Sequence, residues 1–236
     1  IARTPPRLVY TWSVFNQNLW RLDTRTGERR MVIGSTYRSI LPQYSPDGRK
    51  IAFESNRSGN AEVWICDADG SNCQQLTSFG GSAGGANTPR WSPDGRWLAM
   101  DSQVEGQSEI YVIAADGGQL RRATDLSPFS KTRPSWSRDG RWIYFTSDRG
   151  GRTEIWKMPA GGGQAVQVTR SGGAAALESP DGKYIYYVKE PGPPGLFRMP
   201  TEGGEEKQVL PAVAYWSDFG ITAKGVYFMP DRSTIQ

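Results

Sequence analysis

The most informative absence in this sequence is histidine, since the chain of 236 residues contains none. Without an imidazole the segment has no Ser-His-Asp triad, no Cys-His pair and no zinc site that includes histidine. Residues 80–84 match the G-x-S-x-G pattern of a nucleophile elbow, but they form a glycine-rich loop and lack a histidine base. We therefore predict that the segment is not an enzyme, has no catalytic residues and takes no metal or cofactor.

Long apolar runs and concentrated positive charge are also missing. No apolar run approaches the roughly 18 residues of a membrane span. The net charge is only +4, and the Lys and Arg residues are scattered, whereas a nucleic-acid groove needs a basic stripe with exposed aromatics. We predict that the segment binds no nucleic acid. Because it begins at Ile1 with no initiator Met and no signal peptide, we expect a piece of a longer protein, with any membrane link in a flanking region.

Cysteine is scarce as well, with only Cys66 and Cys73, on either side of the turn at residues 67–72. On adjacent antiparallel strands the two side chains would face each other at disulfide distance. The corresponding places in the next repeat hold Ile113 and Leu120, so both cysteines also suit inward-facing positions as small hydrophobes. A disulfide and a reduced pair both stay open, and a disulfide would indicate an oxidising compartment.

What the sequence has in abundance is one turn, written four times with the pattern Ser-Pro/Arg-Asp-Gly-Arg/Lys. The copies are Tyr44–Lys50, Trp91–Trp97, Trp136–Trp142 and Glu178–Tyr184. Where proline is present it presets φ at the second position of a type I turn, Asp suits the third position, and Gly closes the turn. A repeat of about 45 residues is typical of β-propellers.

Each turn lies between two strand-like segments, and a second hairpin with a glycine-containing turn follows. Four strands per repeat make a propeller blade. We predict an all-β fold and a single domain over residues 1–236, with six blades favoured and five possible. The predicted blades cover about 7–33 (partial), 40–80, 87–125, 132–170, 174–210 and 215–236 (partial). The partial blades are predicted to contain strands at 8–12, 18–23 and 29–33, and at 215–219 and 225–228.

The repeated turn, followed by Phe53–Arg57 or Phe145–Arg149, resembles the propeller repeats of the TolB-like family. A narrower resemblance, in residues 18–22, 156–159, 178–182 and 224–228, is to TolB-like propellers attached to winged-helix transcriptional regulators of the CadC/OmpR type. That resemblance implies a periplasmic or extracytoplasmic sensory domain. Two alternatives are the propeller lid of a prolyl-oligopeptidase-like serine peptidase, with its catalytic residues in another domain, and a TolB-type periplasmic scaffold protein.

One face of the predicted propeller carries a set of charged loop residues. The loops that enter the innermost strands share this face with the loops between the second and third strands. Function concentrates on loops that a rigid scaffold presents, and seven of these eight residues are basic, so we predict that this face binds a protein or a small anionic ligand. The alternative is that these residues are ordinary solvent-exposed loop charges that bind nothing. The residues are Arg38, Arg57, Glu105, Lys131, Arg133, Arg149, Arg152 and Arg170.

Overall fold

A computed structural model describes residues 2–3, 6–7, 17–23, 26–80, 84–189 and 195–229, the first two pairs as backbone only. All regular structure within these ranges is β-strand, which confirms the predicted fold class. The predicted strand at residues 8–12 and the centre of the elbow-like stretch, residues 81–83, lie outside the described residues. Among the described residues, no helix is long and apolar enough to cross a membrane.

Four of the sheets are complete blades, in which four antiparallel strands follow one another in chain order. Blade II contains Ser39–Tyr44, Lys50–Ser55, Glu62–Asp67 and Gln74–Gln75. Blade III contains Ala86–Trp91, Trp97–Glu105, Gln107–Ala114 and Arg121–Arg122. Blade IV contains Lys131–Trp136, Trp142–Ser147, Glu154–Pro159 and Val166–Gln167. Blade V contains Ala174–Glu178, Tyr184–Lys189, Gly195–Pro200 and Lys207–Leu210.

Two-stranded sheets flank these blades. Blade I pairs Leu19–Leu22 with Arg29–Ile33, and blade VI pairs Phe219–Thr222 with Gly225–Phe228. A short hairpin pairs Ala2–Arg3 with Pro6–Arg7. Blades I and VI are separate sheets, so the five-bladed alternative, in which residues 215–219 complete blade I, is not formed among the described residues.

The predicted strand at residues 215–219 is wrong, because residues 215–218 form a turn and the strand begins only at Phe219. The Asp218 N–H donates to the Tyr215 carbonyl at 3.0 Å, which closes the turn. Trp216 and Phe219 are both buried in the same cluster against blade V. Apolar residues three apart reach one side from a turn, whereas a strand would alternate its side chains between two faces.

The four repeated turns have the predicted geometry and share one hydrogen-bond pattern. In blade II the Gly48 N–H donates to the Ser45 carbonyl at 2.8 Å, with Gly48 at φ +71°. The Ser45 hydroxyl donates to the Asp47 carboxylate at 2.6 Å and accepts the Lys50 N–H at 2.9 Å. The equivalent serine hydroxyls, with further donors from Arg96 and Arg141, lower the pKa of Asp94 and Asp139 to about 2. The three other turns repeat these bonds.

The hydrophobic core lies between blades rather than within one centre. Successive clusters join blades I and II around Phe53, II and III around Met100, III and IV around Phe145, and IV and V around Tyr187. A fifth cluster packs Trp216 of the turn before blade VI against blade V. Each blade therefore depends on its neighbours for burial, as in other repeat proteins.

Blades II, III and IV each bury a glutamate at the start of the third strand: Glu62, Glu109 and Glu154. A threonine after the fourth strand donates its hydroxyl to that carboxylate, and the same hydroxyl accepts a backbone N–H from the third strand. The threonines are Thr77, Thr124 and Thr169. These bonds fasten the outer edge of each of these three blades to its third strand.

Cys66 and Cys73 form a disulfide in this structure, across the turn that ends the third strand of blade II. Cys66 is buried in the cluster between blades I and II, against which Cys73 packs. The position inside the apolar cluster accounts for the ambiguity of the sequence, since the same places suit either a bonded pair or two small hydrophobes.

Candidate functional site

The innermost strands of all four complete blades have a kink at the same repeat position. Leu41, Thr88, Arg133 and Ala175 have φ values of +53°, +52°, +55° and +55°. Positive φ is uncommon outside glycine, and it persists only where the surrounding structure enforces it, often at functional sites. The pairing with the second strand shifts register at each kink. The kinks therefore form a repeated, strained feature on the inner side of the propeller.

Two of these kinks are held by hydrogen bonds that their backbone N–H groups donate to side chains of the preceding blade. The Arg133 N–H donates to the Asp101 carboxylate at 3.1 Å, and the Ala175 N–H donates to the Thr146 hydroxyl at 3.1 Å. Both acceptors occupy the same position in the second strand of their blades. The kinks thus link neighbouring blades.

A cavity opens where the kinked strands of blades III, IV and V meet the turn before blade VI. The space has room for about one water molecule. The walls combine polar and charged groups from the inner strands with apolar groups from blade V and the turn. The lining residues are Thr88, Arg90, Arg133, Pro134, Ala175, Ala176, Leu177, Trp216, Ser217 and Phe219. We call this space the central cavity.

Arg90 is the residue of the central cavity whose charge has no direct partner. Within the described ranges its guanidinium makes neither a hydrogen bond nor an ion pair, and it keeps partial contact with solvent. Its backbone is fixed, because the Trp136 indole N–H donates to the Arg90 carbonyl at 3.0 Å. Burial lowers the pKa of Arg90 to about 10, and the Asp101 charge partly opposes this shift. The side chain is therefore a desolvated cation at neutral pH.

Asp101 is the acid whose charge acts on Arg90, and it is only 6% exposed. Burial raises the pKa of Asp101 to about 7, although hydrogen bonds from the Arg133 N–H and the Thr88 hydroxyl favour the ionised form. The negative charge of Glu54 adds to the increase. Glu54 is itself buried and forms an ion pair with Arg38. A buried acid that titrates near neutrality beside a cavity is a candidate functional group.

The structure separates the eight charged loop residues of the sequence prediction. Arg133 lines the central cavity, with its guanidinium 4.5 Å from the centre of the Trp216 ring. Arg57 and Arg149 stack on Trp64 and Trp156, at 4.9 and 4.7 Å. Arg38, Glu105 and Arg152 form ion pairs with Glu54, Arg122 and Glu154. Arg170 is exposed, and its carbonyl accepts a hydrogen bond from Arg152.

Lys131 does not lie on the surface of this face, contrary to its place in the predicted set. Its side chain is 0% exposed, and its ammonium donates to Glu109 at 2.7 Å, to the Ser127 hydroxyl at 2.7 Å and to the Phe129 carbonyl at 3.1 Å. The buried glutamate draws the lysine inward because a carboxylate in this position needs a counter-charge.

Sequence reasoning missed Arg90, Asp101 and Trp216 as site residues. A signal for the first two was available from the repeat. Arg90 stands where the other blades have Gln43, Ser135 and Leu177, and Asp101 stands where they have Glu54, Thr146 and Val188. A charged residue at an inner-strand position where other blades have uncharged residues, as at Arg90, indicates an exception to ordinary packing; the signal at Asp101 is weaker because blade II also has an acid there. Trp216 lies in the last repeat, which lacks the Ser-Pro/Arg-Asp-Gly turn, so its position cannot be aligned with those of the other blades.

No group of three His, Cys, Asp or Glu side chains that would suit a metal ion occurs in the part of the chain that the structure describes.

Antiparallel blades that pack in succession, with their inner strands beside a cavity, define a β-propeller. Residues 17–212 match the family model described as the TolB beta propeller domain. The chain belongs to this family.

Several named proteins are similar to parts of this chain. An "Uncharacterized peptidase YuxL" of Bacillus subtilis (strain 168) is 36% identical over 64 residues, which are 27% of this chain and 10% of that protein. The crystal structure of TolB from Acinetobacter baumannii has a TM-score of 0.73 and 26% identity, and the match covers 84% of this chain and 50% of TolB. A Mycobacterium tuberculosis puromycin-hydrolyzing peptidase has a TM-score of 0.64 and 18% identity, covering 89% and 38%. The chain thus spans half or less of each of these three proteins.

Proposed function

We propose that this propeller is a non-catalytic recognition domain that binds an anionic group of a protein or small ligand at the mouth of the central cavity. The observation that supports this most strongly is Arg90, a cation without a hydrogen bond or ion pair among the described residues, beside four strained inner-strand kinks. Arg133, Arg149 and Arg152 lie on the same loop face and would attract negative charge from solution.

In its parent protein, the proposed role of the domain is the extracytoplasmic sensor or partner-binding half of a winged-helix transcriptional regulator. The resemblance of residues 18–22, 156–159 and 178–182 to propellers of that group supports this role. The disulfide between Cys66 and Cys73 supports an oxidising compartment such as the periplasm.

The second candidate is the propeller of a serine peptidase, with its catalytic residues in another domain. It is favoured by the partial similarity to proteins named as peptidases in Bacillus subtilis and Mycobacterium tuberculosis. The coding sequence on either side of this chain would distinguish the regulator from the peptidase. A winged helix and one apolar span upstream support the regulator, and a downstream domain with a nucleophile elbow and a histidine supports the peptidase.

Recognition of anionic groups is tested with an array of acidic, neutral and basic peptides and the purified propeller. Acidic peptides should be retained selectively, and retention should fall as salt is raised. The double variant Arg149→Glu/Arg152→Glu should weaken retention. Its matched control is Arg49→Glu/Arg141→Glu, two exposed arginines of the repeated turns on the opposite face. Equal retention of all peptides, or equal effects of the two double variants, would contradict the proposal.

A further inference from the structure

We propose that the cleft between blades III and IV, on the face that carries the repeated turns, binds an aromatic ring that bears a carboxylate, with the ring against Trp97 and the carboxylate at Arg121. We call this space the turn cleft. It is formed by the repeated turns of the two blades, the fourth strand of blade III and the residues after the third strand of blade IV. Its volume is about 660 Å³, which lies within the range of small-ligand sites. The turn cleft is on the face opposite to the loop face, so this site is additional to the proposed recognition of anionic partners and does not depend on it.

In blades IV and V a cation covers the aromatic residue that begins the second strand. The Lys157 ammonium lies 5.0 Å from the centre of the Trp142 ring, and the Arg198 guanidinium lies 4.8 Å from the centre of the Tyr184 ring. Both cations stand in the third strand, two residues before the partner of the aromatic residue. Such contacts are favourable because the face of an aromatic ring attracts a cation. They also place a long side chain in the space beside the ring.

Blade III departs from this pattern at Trp97, which also begins a second strand. The position that corresponds to Lys157 holds Val112, whose side chain is too short to cover the ring. Among the described residues no cation lies over Trp97, and this residue is 42% exposed. The short valine therefore leaves the turn cleft open, with an indole ring accessible for stacking.

The cation of blade III stands instead on the neighbouring strand. Arg121 pairs with Val112 across the third and fourth strands. In blade IV the order is reversed, with Lys157 on the third strand and Val166 on the fourth. The Arg121 guanidinium reaches across to blade IV, where it donates one hydrogen bond to the Ala160 carbonyl at 3.2 Å. Within the described ranges it forms no ion pair, so its other N–H donors are available to a carboxylate.

The charges that line the turn cleft favour an anion with a single charge. Asp94 and Asp139 each pair with the arginine two positions later in their own turn. The guanidiniums of Arg121 and Arg138 have no carboxylate partner among the described residues, so a ligand cation over the indole ring would be repelled. A dianion such as phosphate would in turn be repelled by the two aspartates, whose pKa values of about 2 keep them ionised. A carboxylate carries one charge, and an aromatic ring attached to it can stack on Trp97.

The experiment uses 4-fluorophenylacetate as the probe and ¹⁹F NMR as the readout, with the whole chain at neutral pH. We expect saturable binding. The amide 4-fluorophenylacetamide has the same ring without the charge, and 4-fluorophenethylamine carries the opposite charge. Each should bind at least about fivefold more weakly, because neither offers a negative charge to the guanidinium. Trifluoroacetate, a carboxylate without the ring, should bind at least about threefold more weakly because it cannot stack.

Two variants with matched controls locate the site, and near-ultraviolet circular dichroism checks that each is folded. Arg121→Gln should weaken binding of the probe at least about fivefold. Its control is Arg122→Gln, the next residue of the same strand, which does not line the turn cleft and should change affinity less than about twofold. Trp97→Leu should weaken binding at least about threefold. Its control is Trp142→Leu, at the same position of the next blade, which should leave the affinity unchanged.

A third variant closes the turn cleft. Val112→Lys copies the arrangement of blade IV, in which Lys157 covers the aromatic ring, so the new ammonium should occupy the space over Trp97 and abolish binding. Val112 is buried. If Val112→Lys does not fold, Trp97→Leu and Arg121→Gln still decide, because both residues are exposed.

An aromatic carboxylate occurs both as a free small molecule and at the C-terminus of a peptide that ends in phenylalanine. Competition with the peptide Gly-Gly-Phe, as the free acid and as the C-terminal amide, separates these sources. Displacement of the probe by the acid alone supports a peptide terminus as the ligand, and displacement by neither supports a small aromatic acid. Displacement by both would contradict a requirement for the carboxylate.

Absence of saturable probe binding would overturn the inference. Equally tight binding of the amide or the amine, or an unchanged affinity in Trp97→Leu and Arg121→Gln, would overturn it as well. These failures are separable from failure of the proposed function, which depends on Arg149 and Arg152 of the loop face. Conversely, Arg49 and Arg141, the control residues of the peptide array, do not line the turn cleft.

Discussion

The ammonium of Lys131 lies 2.7 Å from the carboxylate of Glu109, and both side chains are 0% exposed. The lysine comes from the first strand of blade IV and the glutamate from the third strand of blade III. The glutamate also accepts the hydroxyl of Thr124, and the lysine donates to Ser127 and Phe129. This ion pair is therefore fully hydrogen-bonded, and it joins two blades at a point that solvent does not reach.

Removal of one partner of this buried ion pair should strongly destabilise the folded chain. Lys131→Met leaves Glu109 buried without its counter-charge, so we expect the free energy of unfolding to fall by about 3–5 kcal/mol. Urea denaturation followed by tryptophan fluorescence measures this change. Lys207→Met, at a side chain that is 63% exposed, is the matched control and should stay within about 0.5 kcal/mol of the parent. A loss below about 1 kcal/mol for Lys131→Met would contradict the buried pair.

The repeat explains why much of the fold was readable from the sequence. The turns at Asp47, Asp94, Asp139 and Asp181 combine residues with local roles, and local geometry needs no knowledge of the rest of the chain. The predicted blade II, at about 40–80, corresponds to strands from Ser39 to Gln75. Residues 215–219 were misassigned because their aromatic residues suggested a strand, while burial of Trp216 and Phe219 on one side requires a turn.

The buried threonines offer a second test of blade stability. Thr169 donates to Glu154 and accepts the Ile155 N–H at 2.9 Å, so Thr169→Val removes two buried hydrogen bonds at nearly constant volume. We expect a loss of about 1–3 kcal/mol in the free energy of unfolding. Thr169→Ser keeps the hydroxyl and should recover most of that loss in the same urea assay. Equal destabilisation by both variants would indicate that loss of the methyl group costs as much as loss of the hydrogen bonds.

The candidate site was less predictable than the fold. Loop position selected both Arg133, which lines the central cavity, and Lys131, which is buried, because a repeat pattern does not tell whether a long side chain turns outward or inward. Arg90 was missed for the opposite reason, since an innermost strand is expected to supply packing rather than a charge without a hydrogen-bonded partner. Both outcomes depend on residues far apart in sequence, such as Glu109 for Lys131 and Asp101 for Arg90.

The disulfide should contribute to stability even though its partners are only seven positions apart. For a loop this short, the chain-entropy argument gives about 2–3 kcal/mol. Dithiothreitol should therefore lower the urea midpoint of the parent chain. The double variant Cys66→Ala/Cys73→Ala should be insensitive to the reductant, which separates loss of the bond from loss of packing by Cys66. An unchanged midpoint in the reduced parent would argue against a structural role for the bond.

Asp101 should make stability depend on pH in a direction opposite to that of most carboxylates. Burial raises the pKa of Asp101 to about 7 in the folded chain, whereas an unfolded aspartate titrates near about 3.9. Between these values the folded state binds more protons than the unfolded state, so stability falls as pH rises from about 4 to about 7. Above the folded pKa the cost of the buried charge is constant. Asp101→Asn never ionises and still offers an oxygen to the Arg133 N–H, so it should avoid this loss.

The measurement is the difference in the free energy of unfolding between the parent and Asp101→Asn, recorded in urea from pH 4 to pH 8. Other titrating groups are common to both chains and cancel in the difference. The variant should gain on the parent as pH rises, by an amount on the order of 4 kcal/mol if the whole pKa change is expressed. Asp125→Asn, at an exposed side chain, should show a constant difference. A constant difference for Asp101→Asn as well would mean that Asp101 titrates alike in the folded and the unfolded chain, which would contradict the raised pKa.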